Sequence, residues 1–459
     1  MDIKKTLCIL SLWGTTALKA QTAGQNYTLS PYSNYGLGEL IQPNFLQAGA
    51  ASQTFSGAYS YSLLNPATLG NLRYATMDFG MNGRFGTIRS GNETQSFNGG
   101  SFSYLSMAFN NYKTEKRKVF EEATNGKVVK KYKSTPFAWN SAFALYPSTS
   151  MGYNYNYESA TPFRNRTAHV GSGGINVLEL AQAVKLGKHI QLGYSGGYMF
   201  GQLKDNAVFS FPDTVGFQFV EDERVVDVKG FQHRAGLLLS LEKDSTAHHL
   251  GLSYGFHSGM RANLSRMAQT LELLSGGGVN RLLVVDTVLD EQSGNKSFTM
   301  PASFGVGYQF RFRRALSVSM DYRKSLWGNY SAFFNPGGNL ANRSDYGLTF
   351  ILNPMDEKAP GKKRMNPPVR LGVAMAETQN VLTAAGSPYT ITEQRAFVGF
   401  GIPLSRRYYD NRTLRSIVHL QAEYLTRGKN TGGLAREDYL LFSLSMNLGD
   451  IWFQRRKFD

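Results

Sequence analysis

From residue 75 onward, bulky apolar residues alternate with small or polar ones at a period of two. In one stretch Ala302, Phe304, Val306, Tyr308 and Phe310 alternate with Ser303, Gly305, Gly307 and Gln309. The pattern repeats through Leu250, Leu252, Tyr254 and Phe256, through Leu316, Val318, Met320 and Tyr322, and through Leu440, Phe442, Leu444, Met446 and Leu448. Successive side chains of a β-strand point to opposite faces, so this alternation dictates strands with two chemically unlike sides. A helix cannot present it.

A soluble sandwich and a transmembrane barrel both use such strands; length and spacing separate them. The predicted strands lie near 75–85, 101–110, 136–157, 173–186, 189–203, 230–241, 248–258, 300–311, 315–323, 345–352, 369–377, 395–403, 415–426 and 439–449. Most run to about 9–12 residues, enough to cross a bilayer at a tilt. Connections are short around Lys188, across 242–247 and at Arg313–Arg314, and long across 204–229, 259–299 and 324–344. Alternating short and long connections belong to outer-membrane barrels, whose turns are short on the periplasmic side. Tyr153, Tyr155 and Tyr157, with Trp452 and Phe453, sit near strand ends where interfacial girdles form. The fold class is therefore all-β, an up-and-down antiparallel transmembrane barrel of about fourteen strands.

Composition agrees. The 459 residues include 48 Gly, 30 Phe, 25 Tyr and 4 Trp, yet only 18% are charged, against about 25% in soluble domains. Mean hydropathy is −0.30 although 42% of residues are hydrophobic. Half of each strand faces lipid and the other half cancels it in the average. Disorder is excluded by the aromatics, and past the N-terminus no apolar run reaches the roughly 20 residues of a spanning helix.

Residues 1–20 read as a signal peptide, with Lys4 and Lys5 before the apolar run Leu7–Trp13 and cleavage near Ala20-Gln21. Its loss would remove Cys8, the single cysteine, and with Lys4, Lys5, Lys19 and Asp2 would lower the net charge of +16 by two. A thiol-free exported chain has no cysteine nucleophile or thiolate metal site. Residues 21–73 do not alternate; they are rich in small residues and turn formers and are expected to fill the lumen of the barrel formed by 74–459. Two connections stand out. Residues 111–135 are basic, with a hairpin turn signal at Asn125-Gly126, and 353–368 carry Lys362, Lys363, Arg364 and Pro367-Pro368.

The remaining motifs occur in a fixed order: Ser30-Pro31-Tyr32-Ser33, Tyr35-Gly36-Leu37-Gly38, Asn65-Pro66-Ala67, Tyr146-Pro147-Ser148, Met151-Gly152-Tyr153 and Gly171-Ser172-Gly173-Gly174. Asp321-Tyr322 with Trp327, Gly401-Ile402-Pro403-Leu404 and Trp452-Phe453-x-x-Arg456-Lys457 complete the series. In this order they resemble the long-chain fatty-acid outer-membrane transport family, or a diverged or secretion-associated branch of it. The resemblance implies a fourteen-stranded barrel plugged by an N-terminal hatch, here carrying Asn65, Pro66 and Ala67. It also implies passive uptake of hydrophobic molecules, with lateral exit through a kink in the third strand. Tyr146, Pro147 and Ser148 are the candidate kink, because proline cannot donate to a central ladder. An ordinary turn at Pro147, raising the strand count, is the alternative. The ligand contacts of the family are not recognisable in this sequence.

No catalytic constellation, cofactor motif or metal-ligand spacing appears. His248 and His249 are adjacent and must point to opposite faces of a strand. Gly276-Gly277-Gly278 lacks the Lys-Ser/Thr of a phosphate loop. The expected partners are outer-membrane lipid and a hydrophobic or amphipathic small molecule, with no nucleic acid, around a monomeric barrel in the outer membrane of a Gram-negative bacterium. The competing reading is a non-transporting barrel that docks or plugs within an outer-membrane secretion complex.

Overall fold

Every predicted strand is present, and most run well past their predicted ends. The chain was analysed as a computed structural model, which describes residues 30–450 apart from 35–36, 42–44, 114–116, 125–126, 134–136, 160–164, 212–218, 244, 277–278, 314, 335–339, 353–366, 385–386 and 410–411. The barrel strands are β1 (Ala75–Ser90), β2 (Glu93–Lys113), β3 (Phe137–Ser159), β4 (Asn165–Leu186), β5 (Ile190–Ser210), β6 (Phe219–Lys243) and β7 (Thr246–Gly276). They continue with β8 (Ser303–Phe312), β9 (Leu316–Ser325), β10 (Arg343–Leu352), β11 (Val369–Ala384), β12 (Ser387–Tyr409), β13 (Arg412–Gly428) and β14 (Ala435–Asp450). Each pairs antiparallel with its neighbours in sequence, β14 pairs with β1, and β3 with β4, so the 14-strand ring closes. The signal peptide and its cleavage point, Tyr35-Gly36, most of 353–368 and the closing Trp452–Lys457 motif lie outside the described residues.

The connections predicted across 204–229 and 259–299 are corrected: they are largely strand. β5 runs to Ser210 and β6 begins at Phe219, while β7 is 31 residues long and pairs beyond Arg261 with a further strand, Val279–Ser297. At about 3.3 Å per residue β7 is near 100 Å long, several times what a crossing needs. Alternation detects lipid on one face. Beyond the bilayer both faces meet water, so the pattern fades while the ladder continues. Residues 117–133 form the expected separate hairpin, with Thr124 opposite Lys127 across the Asn125-Gly126 turn positions.

The outward face of the ring is apolar. Leu178, Tyr194, Leu252, Tyr254, Phe304, Tyr346, Val373, Phe400 and Phe442 are all exposed there, the surface a lipid-embedded barrel presents. Residues 30–73 pack against the inward face instead. Asn65 caps the short 3-10 helix Pro66–Asn71, its Oδ1 accepting from Ala67 N at 3.1 Å. Its Nδ2 donates to Gln53 O at 2.7 Å and to Leu237 O of β6 at 3.3 Å. The strands are glycine at the points of contact. A Cβ on Gly193, Gly236 or Gly251 would lie 2.3 Å or less from Ala67 N, Asn65 Oδ1 or Gln53 O respectively. The small residues of the alternation are thus the socket of the N-terminal segment.

Other strands bind the same segment. Asp321 of β9 accepts from Gln53 N at 2.7 Å and from Ser52 N at 3.2 Å. Gln47 donates to Asp78 of β1 at 2.8 Å, and Asn140 of β3 donates to Leu69 O at 2.7 Å. A buried amide or carboxylate inside a barrel needs such partners, and each backbone group satisfied this way holds the segment in register.

Candidate functional site

The ring is not zipped along its whole height. β2 and β3 pair from Lys113↔Ala138 to Leu105↔Leu145 and no further. Residues 93–104 of β2 remain paired with β1, and residues beyond Tyr146 of β3 remain paired with β4, but the two strands part from each other. The parting begins at Tyr146, next to Pro147. The β3–β4 register shifts between Pro147 and Thr149, and this bulge inverts the alternation. Below it even-numbered Ala138, Asn140, Ala142, Ala144 and Tyr146 are buried; above it odd-numbered Thr149, Met151 and Tyr153 are. Tyr153, expected in an interfacial girdle, therefore points inward and donates to Asp205 at 2.6 Å. Tyr155 stacks on His169 with ring centroids 5.4 Å apart.

Several of the sequence motifs meet at this seam. Gly171–Gly174 lies directly opposite Ser150–Tyr153, and Gly174 is so close to β3 that a Cβ would sit 2.4 Å from Thr149 O. Glu39 and Leu40 pair with Ser150 and Thr149, and Ile41 N donates to Ser148 O at 2.9 Å. Gly38, at φ +95°, takes a conformation L side chains rarely adopt, and a Cβ there would sit 2.6 Å from Ser150 O. Ser30 N donates to Gly152 O at 3.1 Å and Ser33 Oγ to the same oxygen at 3.1 Å. The N-terminal segment thus occupies the edge of β3 that β2 leaves open.

Tyr146 anchors the lower lip. Its hydroxyl donates to Glu179 Oε2 at 2.6 Å, and Arg234 Nη1 donates to that carboxylate at 2.9 Å, to Tyr146 Oη at 3.0 Å and to Leu63 O at 2.9 Å. Of the predicted hatch residues, Asn65, Pro66 and Ala67 lie in the glycine socket on β5–β7 rather than at the seam.

Behind the seam the interior has two unlike walls. On β4–β7 the inward residues Ile175, Val177, Met199, Leu203, Val226, Val228 and Met260 form an apolar cluster with Leu37, Trp327 and Phe334. On the far side the wall is ionic. Glu39 reaches from the seam to Arg84 of β1 at 3.0 Å and Arg427 of β13 at 2.8 Å. Arg427 also pairs with Glu393 at 2.8 Å and Glu437 at 3.3 Å. A small, partly open cavity adjoins this wall, lined in part by Asp321, Arg323, Asp345, Arg395 and Glu423. No local pattern announces the ionic wall, because its members are dispersed over six strands and the N-terminal segment.

His248 faces outward to Tyr308 Oη at 2.7 Å, whereas His249 is buried against Ser240 Oγ at 2.9 Å, the opposed arrangement the strand requires.

A family model described as BamG matches residues 2–116 and 134–459. No curated protein matches the chain in sequence. Among solved structures, the Ralstonia pickettii toluene transporter TbuX is similar with a TM-score of 0.53 at 14% identity, over 90% of this chain and 99% of that one. A deltaS2 mutant of the monoaromatic hydrocarbon channel TodX aligns at 0.50 and 13% identity, over 89% and 99%. A Pseudomonas aeruginosa FadL homologue aligns at 0.49 and 13%, over 90% and 99%. At such identities the likeness establishes the barrel fold.

Proposed function

The chain belongs to the BamG family, and from that premise and the seam at Pro147 we propose that it is an outer-membrane channel for passive uptake of hydrophobic or amphipathic, long-chain fatty-acid-like molecules. The observation that carries this is the parting of β2 from β3 above Leu105, backed by an apolar inner wall. Barrel lumens are ordinarily polar; a wall of Ile, Val, Leu and Met suits a cargo that avoids water. In this reading residues 21–73 are the hatch, cargo enters at the end bearing the long strand extensions, and it leaves sideways between β2 and β3 when 37–41 withdraw. Similar folds named as toluene and hydrocarbon channels support it. The chemistry required is binding and release, with no bond broken.

A locked seam tests it. Leu40→Cys with Thr149→Cys places thiols on directly paired residues. Oxidised, the pair should abolish uptake of labelled long-chain fatty acid in a deletion host, and a reductant should restore it. Uptake that persists with the bond formed rejects lateral exit.

A docking subunit of a secretion complex is the second reading, favoured by one feature. Among the described residues strand Val279–Ser297 pairs only with β7, which leaves its other edge without a strand there, and Leu283, Val284, Val285 and Val288 on it are exposed. They lie beyond the part of β7 that pairs with β8, where lipid contact does not account for them. An open apolar edge invites strand addition by another polypeptide.

A further inference from the structure

We propose that Arg84 and Arg427 form a carboxylate site which Glu39 occupies in the closed state, and that an amphipathic carboxylic acid opens the seam by taking Glu39's place; the inference rests on the uptake reading above.

Three observations converge. The residue that closes the open edge of β3 is the one that carries the carboxylate: Glu39 pairs through its backbone with Ser150 and through its side chain with both arginines. The hold on Arg84 is incomplete. Glu39 is its only ion-pair partner among the described residues, through a single bond from Nη1, and the buried Nε has no hydrogen-bond partner. A guanidinium is built for two parallel bonds to one carboxylate, a geometry that Glu39, pinned to β3, does not reach. A free carboxylate can reach it. The site also adjoins the apolar cluster, since Leu37 and Leu40 pack there, so head and tail of one amphiphile would find unlike surfaces a few residues apart.

Exchange of one carboxylate for another leaves the charge at the two arginines unchanged, whereas Glu39 leaving alone would remove the one direct ion pair that Arg84 makes among the described residues. A neutral molecule of the same length therefore cannot drive the exchange. Glu39 is a tethered competitor, whose effective concentration is of millimolar order or more.

The test uses octanoate and octan-1-ol as probes, titrated calorimetrically into the full-length protein in nanodiscs, with empty nanodiscs subtracted. Glu39→Gln removes the competitor and should tighten octanoate at least tenfold, with octan-1-ol unchanged; Glu39→Asp should not gain, and adding Arg84→Gln to Glu39→Gln should erase the gain. An unchanged ratio of octanoate to octan-1-ol affinity in Glu39→Gln overturns the inference while leaving uptake standing. Absence of binding by both probes in every form overturns the uptake reading with it. Should Glu39→Gln fail to form a barrel, Leu40→Cys in the otherwise native chain reports the same event. Octanoate should accelerate its labelling by maleimide and octan-1-ol should not, and equal acceleration by both rejects the exchange.

Discussion

Glycine at Gly193, Gly236 and Gly251 does a job that composition alone conceals. On a lumen wall a glycine is usually read as a weak strand position, but here each admits the backbone or side chain of residues 53–67 to within what would be Cβ distance. The contact atoms are mainly backbone, which cannot swing aside as a flexible side chain would. Gly251→Val should therefore expel Gln53 and Asn65 from their places while the ring still forms. Limited proteolysis should then cut within 50–70 in the folded variant and leave the wild type intact; equal resistance would show that the socket is not needed. Asn65 illustrates how a residue can be seen in sequence while its distant partner stays hidden. Asn65-Pro66-Ala67 is legible as a capped turn, because asparagine before proline starts a helix. That its amide also reaches Leu237 O of β6 depends on a strand some 170 positions away, and no local pattern records it.

At the scale of the element, the strands were legible wherever lipid imposes a chemical difference between their faces. All fourteen were placed, and the alternation ended where the lipid does. The upper halves of β5, β6 and β7 were hidden for that reason, as was the pairing of Val279–Ser297. The register shift after Pro147 was legible through a single residue, since proline in the middle of a long apolar alternation must break something. What it breaks could not be read. The bulge inverts the facing of β3, so Tyr153 leaves the lipid side, and Gly174 on β4 receives the displaced backbone. Pro147→Val would restore a backbone donor where pairing with β2 stops. Uptake of labelled long-chain fatty acid should fall while heat-modifiable gel mobility of the barrel is kept, and unchanged uptake would show that the proline does not shape the route.

For the whole molecule, the dominant fact is how widely the N-terminal segment is tied to the ring. Hydrogen bonds from residues 30–73 reach β1, β3, β6, β9, β10 and β14, so the segment braces the ring from within. Deleting 30–73 should convert a silent barrel into a conducting one, because a ring of this strand number encloses more space than its own side chains fill. Single-channel recording in a planar bilayer checks this: steps of stable conductance are expected from the deletion and none from the intact chain, while a silent deletion variant would mean that the walls alone close the lumen.

The glycine socket also has a consequence for assembly. Residues 30–73 precede every strand of the ring, and the ring closes only when β14, the last element, joins β1. Their seat is built by strands from the middle of the chain. The first-made part of the protein therefore waits for strands made later, and its bonds to Asp78 of β1 and Glu437 of β14 lie on either side of the seam that closes last.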